Sequence, residues 1–247
     1  MFLFQGGIII GLAMLISAVI SPHPPIIIPE VGGEETRRVK KTISALKKLN
    51  QKFKKLKPET IIIVTPHGLV YPDSFNVCAM PFLRGSLAHF GAQMEKTYQN
   101  DLELVYALNQ EAQKADIPIV PYDNGKEAYE IDHGVLVPLY YLAEGLKVKV
   151  VPITYSYLSV PKHFSFGQLL GEVVGKTEKK VAFVASGDLS HRLKYSQYGY
   201  VREGKIFDKK IIEFLKKGNT KGILSLDENL IESAGECGCL LYTSDAA

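Results

Sequence analysis

Tryptophan is absent, which by itself excludes nothing, and cysteine is scarce, with three in 247 residues. Three thiols cannot pair into a disulfide framework, which points to a reducing, cytoplasmic setting. Net charge is slight, +3 from 29 basic and 26 acidic side chains, too little for a nucleic-acid footprint. No Gly-x-Gly-x-x-Gly follows any strand, so a dinucleotide fold is a poor reading. No Gly-x-Ser-x-Gly elbow exists, and Ser190 and His191 are neighbours whose side chains diverge in extended chain, so a serine nucleophile is a poor reading. Met1 to Ile20 is almost wholly apolar, yet no Lys or Arg precedes it. The positive flank of a signal or membrane anchor is therefore missing, and a protein outside the membrane is expected. Cleavage near Ala18 would also destroy the strand that carries His23. Met14 is a sensible start, which makes residues 1–13 a doubtful extension.

What is present is a recurring unit: an apolar strand that ends in a histidine. Ile61 to Val64 are four branched apolar residues, the pattern of an interior parallel strand, and Thr65-Pro66-His67-Gly68 follows. Leu15 to Ile20 runs into Ser21-Pro22-His23-Pro24-Pro25, and Val181 to Ser186 into Gly187-Asp188-Leu189-Ser190-His191. In open α/β sheets ligands bind at the carboxyl ends of strands. If these strands are neighbours, the three imidazoles share one rim.

Between them the chain alternates. Gly32-Gly33 opens a helix with Glu34 and Glu35 in its first turn, and Val39, Ile43, Leu46, Leu49, Phe53 and Leu56 form one apolar stripe. Lysines at 40, 41, 47, 48, 52, 54, 55 and 57 crowd the other face; without interleaved aromatics they read as a solvated surface, not an RNA site. Strands are expected at 75–80, 117–120 and 148–153. Helices are expected at 101–114 with Asn100 as cap, from Asp132-His133-Gly134 through Leu146, from Pro161 to Val174, over 206–217, and after Asp227. The class is α/β, a single domain with a central, mostly parallel sheet flanked by helices.

Four of six histidines, His23, His67, His133 and His191, sit in loop-like settings beside Pro, Gly or Asp, whereas His89 and His163 read as surface or packing residues. Glu232-Ser-Ala-Gly235-Glu236-Cys237-Gly238 offers a further donor. Two imidazoles and a carboxylate with open positions form the facial set of non-haem Fe(II) oxygenases, though spacing does not choose iron over zinc. A third imidazole left free can serve as acid-base. Tyr71, Tyr155 and Tyr157 stand near strand ends, in a pocket or in the core.

Ser21-Pro-His23-Pro-Pro, Thr65-Pro-His67-Gly, Asp132-His133-Gly134, Ser186-Gly-Asp-Leu-Ser-His191 and Gly235-Glu-Cys-Gly238, in that order, resemble the LigB-type class III extradiol dioxygenase superfamily. Within it the likeness is to the branch named after the AmmeMemoRadiSam system, related to Memo-like proteins, and it runs from about Ile16 to Gly238. The resemblance implies a mononuclear Fe(II) site held by His23 and His67. It makes His191 the catalytic base toward a bound catechol and His133 a histidine behind the ligands or in the substrate pocket. Ring-cleaving members close the triad with a glutamate, Memo-like members carry a cysteine near that place, and here Glu236 and Cys237 are adjacent. Glu236 is the expected third metal ligand, with Cys237 the alternative that would favour zinc or copper. The implied partners are a small aromatic or dihydroxy substrate with O2, and an AMMECR-type domain fused or associated.

The LigB-like domain is expected over 14–239, truncated at its end, with residues 240–247 a foreign tail. Cys237 and Cys239 as a metal pair are discounted, because a closed zinc site needs two further ligands. Three functions stay open: an Fe(II)-dependent extradiol-type dioxygenase, a Memo-like metal-binding or redox module that recognises a protein, and a metal-assisted hydrolase.

Overall fold

The computed structural model describes residues 3–4, 15–194 and 196–238. The expectations for Met14 as the start, for Cys239 and for residues 240–247 lie outside the described residues, as does all of the 1–13 extension except residues 3–4. In chain order the elements are β1 (Leu3–Phe4), β2 (Leu15–Ser21), α1 (Pro29–Gly32), α2 (Lys40–Leu56), β3 (Thr60–Thr65), β4 (Phe75–Cys78), β5 (Phe82–Ser86), β6 (Glu95–Gln99), α3 (Leu102–Lys114), β7 (Ile119–Tyr122) and β8 (Ala128–Ile131). There follow α4 (His133–Leu142), β9 (Lys149–Thr154), α5 (Val160–Gly175), β10 (Val181–Ser186), α6 (Arg202–Lys217), α7 (Thr220–Leu224) and α8 (Glu228–Ala234). Short 3-10 turns cover Pro25–Ile27, Gly33–Val39 and Ala88–Phe90.

The main sheet runs β1-β2-β10-β3-β9-β4-β7. β1 lies antiparallel to β2 and β4 antiparallel to β9, and the other pairs are parallel. All six residues of β3 and of β10 are buried, as strands covered on both faces must be. Alternation divides them. Ile61 and Ile63 join Val19, Ala182 and Val184 under α2 and α4, with Leu46, Leu49, Phe53, Leu136 and Leu139. Ile62 and Val64 join Val181, Phe183 and Ala185 on the other face, under α3 and α5, with Leu108, Phe166 and Leu170. A third cluster, Phe207, Ile211, Leu215, Ile223 and Ala234, knits α6, α7 and α8 together.

A three-stranded sheet, β6-β5-β8, escapes the sequence reading. Its strands carry Arg84, Glu95, Lys96 and Gln99 exposed, so no clean apolar alternation marks them. Two other differences are local. The stretch Gly33–Val39 is 3-10, and α2 begins only at Lys40. Asn100 does not cap α3: its amide donates to Cys78 O and Met80 O at 2.8 and 2.9 Å, and Asp101 stands at the cap position. Among the described residues no helix is long and apolar enough to cross a membrane.

Asp101 is fully buried, accepting from Thr60 Oγ1 at 2.5 Å and from Lys179 Nζ at 2.8 Å. Burial alone would raise its pKa; the Lys179 and Thr60 bonds outweigh that and leave it below the usual carboxylate value. Its stabilisation is therefore present above the ordinary carboxylate range and is lost as pH falls through the depressed value. Asp101→Ala strands Lys179 and Thr60, and is expected to cost about 3 kcal/mol. A lowered urea midpoint with an unchanged slope is the expected reading; an unchanged midpoint would refute it.

Candidate metal centre

β2, β10 and β3 are neighbours, and their register aligns Ser186 with Ser21 and Ala185 with Val64. The three strands thus end at one level. Two residues beyond each end stand His23, Asp188 and His67. His23 lies between prolines, which hold it in extended backbone. His67 N–H donates to Thr65 Oγ1 at 3.2 Å, and Gly68 follows at φ +102. The two rings meet edge to face, with Nε2 to Nε2 at 3.1 Å.

The tautomer of His23 is set by a chain of bonds that begins in α4. Pro138 sits inside this helix and has no N–H for the carbonyl four residues back, Gly134 O. The Ser186 hydroxyl donates to that carbonyl instead, so Ser186 Oγ accepts from His23 Nδ1 at 3.0 Å. Nε2 is left with its lone pair, facing the centre. Such outer bonds orient metal-binding imidazoles. Gly134 is required for the approach: a Cβ there would lie 2.2 Å from Thr65 Oγ1 and 3.1 Å from His67 Cδ2.

His133, first residue of α4, gives Nδ1 to Asp132 Oδ1 at 2.7 Å, while Asp132 Oδ1 also accepts from Gly134 N–H at 2.9 Å as the helix cap. Its ring lies 4.3 Å from that of His67 and 5.4 Å from Phe90, which the 3-10 turn after β5 delivers. On the other side, His191 Nδ1 donates to Gly235 O at 2.5 Å, which turns Nε2 inward. Ser190 Oγ donates to Ala234 O and Cys237 N–H to Asp188 O, so α8 is clamped onto the loop after β10.

Cys237 Sγ lies 3.6 Å from His23 Nε2 and 3.8 Å from His191 Nε2, and accepts from Asp188 N–H at 3.3 Å. Glu236 Oε2 accepts from Gly238 N–H. Among the described residues, donor atoms converge within 4.8 Å in the groups His23, His67, Cys237; His67, Asp132, His133; and Asp188, His191, Cys237. The fold therefore brings His23, His67, His133 and His191 together with Cys237, while the Glu236 carboxylate enters none of these groups. His163 is buried and packs edge-on to Phe75. Tyr157 is exposed, and Tyr155 is half-buried beside it.

Burial is the main force on the two central imidazoles. It drives His23 down to about 4, against the pull of Asp188, and lowers His67 with help from His133. Asp188 first, then Cys237, raises His191 to about 11. Asp188 stays below the usual carboxylate range because His191 and His23 outweigh its burial.

The donor set fits a divalent cation. Metal–nitrogen bonds near 2.05 Å and metal–sulfur bonds near 2.3 Å in tetrahedral array span about 3.3 Å N to N and about 3.5 Å N to S. The 3.1 and 3.6 Å observed are close to these spans. Neutral, desolvated imidazoles with inward lone pairs are the form a metal takes. An open groove of about 580 Å³ over Arg37, Lys40, Lys47 and Lys48 shares no residue with this cluster.

Two residues of the cluster were quoted in the sequence motifs but given no role: Asp188 and Ser186. The signal for Asp188 was its offset, two residues past its strand end, the same as for His23 and His67. Nothing local indicated a role for Ser186, whose partners lie 163 and 52 residues away.

The family model for the catalytic LigB subunit of aromatic ring-opening dioxygenase matches residues 17–242. A Clostridium acetobutylicum protein is 36% identical over 225 residues, spanning 88% of this chain; this chain spans 48% of that protein's length. The Escherichia coli 3,4-dihydroxyphenylacetate 2,3-dioxygenase is 26% identical over 223 residues, covering 84% of this chain and 79% of its own. The crystal structure of an uncharacterized protein from Escherichia coli K12 shares the fold at TM-score 0.54 and 18% identity, over 82% of this chain and 79% of that one. With the family-model match running over residues 17–242, nearly its whole length, the chain belongs to the LigB family.

Proposed function

We propose that this protein is a metal-dependent ring-opening dioxygenase that acts on an aromatic compound with adjacent hydroxyls, using O2. The observation that carries the reading is the meeting of His23 Nε2 and His67 Nε2, with His133 beside His67 and His191 beside Asp188. The family match and the name of the Escherichia coli relative, a dioxygenase of a dihydroxyphenyl acid, supply the substrate class.

In this reading His23 and His67 hold the metal, proposed as Fe(II). When bound, the ion supplies a template for diol and dioxygen and a path for electrons between them. His191, oriented by Gly235 O and held toward its charged form by Asp188 and Cys237, takes a diol proton at Nε2 only in its neutral form. His133, oriented by Asp132 and beside His67, stands ready to hold or return a proton. Phe90, 5.4 Å from the His133 ring, and Tyr198, 5.8 Å from the His191 ring, are the aromatic faces that a bound diol would meet. Burial of His23 and Ser186 keeps water from competing for the His23 tautomer.

The thiol position supports Cys237 as third donor in place of the expected Glu236. This favours a second reading, since thiolate suits softer metals. The protein would then be a Memo-like zinc- or copper-binding module that recognises a protein partner. Anaerobic purification with metal analysis, followed by oxygen uptake against a panel of catechols, separates the two. The dioxygenase reading expects uptake that depends on Fe(II); tight zinc or copper with no uptake on any diol would sink it.

His191→Ala is expected to keep its metal and lose roughly 10²- to 10⁴-fold in kcat. Metal loss in that variant would contradict the role given to His191. Cys237→Ala is expected to lose metal and Glu236→Ala to retain it, and the reverse result would restore the carboxylate triad. Ser186→Ala frees the His23 ring to the wrong tautomer, so metal affinity should fall roughly 10- to 100-fold with little loss of folded protein. Equilibrium competition with a chelator reads this directly, and unchanged affinity would remove Ser186 from the account.

A further inference from the structure

Asp188 meets three residues of the centre through its side chain and main chain, and no role in the reading above has been given to it. Its Oδ1 accepts from His23 N–H at 3.1 Å. Its Oδ2 lies 3.7 Å from His23 Nε2 and 3.7 Å from His191 Nε2. Its N–H donates to Cys237 Sγ at 3.3 Å, and its carbonyl accepts from Cys237 N–H at 3.3 Å. Four atoms of one residue thus meet three of the residues assigned to the metal and the acid-base step. The side chain is only 15% exposed.

We propose that Asp188 is the positioning residue of this centre: its carboxylate charge holds His23 and His191 in one arrangement around a divalent cation, while its main chain seats Cys237 beside them. The inference rests on the reading of His23 and Cys237 as donors, but not on the identity of the reaction. Its place follows from the sheet. β10 lies between β2 and β3, so the residue two past its end emerges at the level of His23 and His67. A third histidine there would put three imidazoles at one level; a carboxylate there puts negative charge between His23 and His191. At 3.7 Å, Oδ2 is beyond a direct hydrogen bond to either ring, so it acts as charge and not as a shared proton.

A bland alternative is that Asp188 only fixes the loop through the His23 N–H bond. Asp188→Asn separates the two, because the amide keeps the volume and the Oδ1 acceptor and removes the charge. The experiment is an anaerobic Co(II) titration of the full chain, read by the visible ligand-field bands of Co(II), beside thermal unfolding of the metal-free protein. The proposal expects Asp188→Asn to unfold at the wild-type temperature and to bind Co(II) roughly 10- to 100-fold more weakly. It also expects the Co(II) bands to change, and kcat with Fe(II) to fall more than KM for the diol changes. Wild-type affinity and wild-type bands would overturn it. So would an Asn variant that fails to fold, since the proposal gives the loop nothing that an amide cannot supply. If wild-type protein turns over no diol while the Co(II) response is as described, the dioxygenase reading falls and this inference stands.

Discussion

Three parallel strands that are neighbours in space, and end at the same level, are the constraint on which the rest depends. β2, β10 and β3 are separated by most of the chain, yet their register aligns Ser21, Ser186 and Thr65 at one rim. Apolar helices cover both faces of these strands, so the rim is the one place where their polar continuations can collect. The sheet does not tolerate slippage here. A shift of one residue in β3 would exchange Ile61 and Ile63 for Ile62 and Val64 between the two cores and turn His67 away. Packing far from the centre therefore fixes the separation of His23 and His67.

Hydrogen bonds then convert nearness into chemistry. His23, His133 and His191 each have Nδ1 engaged, by Ser186, Asp132 and Gly235, and each is left presenting Nε2. The His23 bond traces back to a proline. Pro138 releases a helix carbonyl, Ser186 takes it, and the direction of the serine hydroxyl decides which ring nitrogen carries the proton. Burial adds a second bias, keeping His23 and His67 neutral, while Asp188 pulls His191 toward the charged form. One rim thus holds imidazoles of opposite electrostatic character, which is how groups of a single type come to serve different roles.

The carboxyl-terminal helices complete the arrangement from outside the sheet. α6, α7 and α8 have their own apolar cluster, and what they contribute inward is the turn at Gly235 to Cys237. Gly235, at φ +56, ends α8 in the left-handed conformation and sends the chain back across the loop after β10. The turn presents the thiol to His23 and engages Glu236 with Gly238 N–H. Adjacent residues in a tight turn point different ways, so the turn sets where the carboxylate and the thiol stand relative to the histidines.

The strand-then-histidine unit was legible because a buried parallel strand has no other way to read: Ile61 to Val64 has to be covered on both faces, and Pro66 has to end it. From such units the sequence alone determined an α/β domain, a parallel sheet, and the set His23, His67, His133 and His191 as the residues worth watching. It did not show the three-stranded sheet, whose half-exposed polar strands carry no periodicity, nor Ser186, whose partners are distant. Strand order was also out of reach, since periodicity says which residues are buried and not which strands are neighbours. Only the tertiary structure decided that Asp188 stands level with His23 and His67, and that the Cys237 thiol lies beside His23 and His191. Those facts depend on register between strands and on a left-handed turn, and neither is encoded in any one stretch of chain.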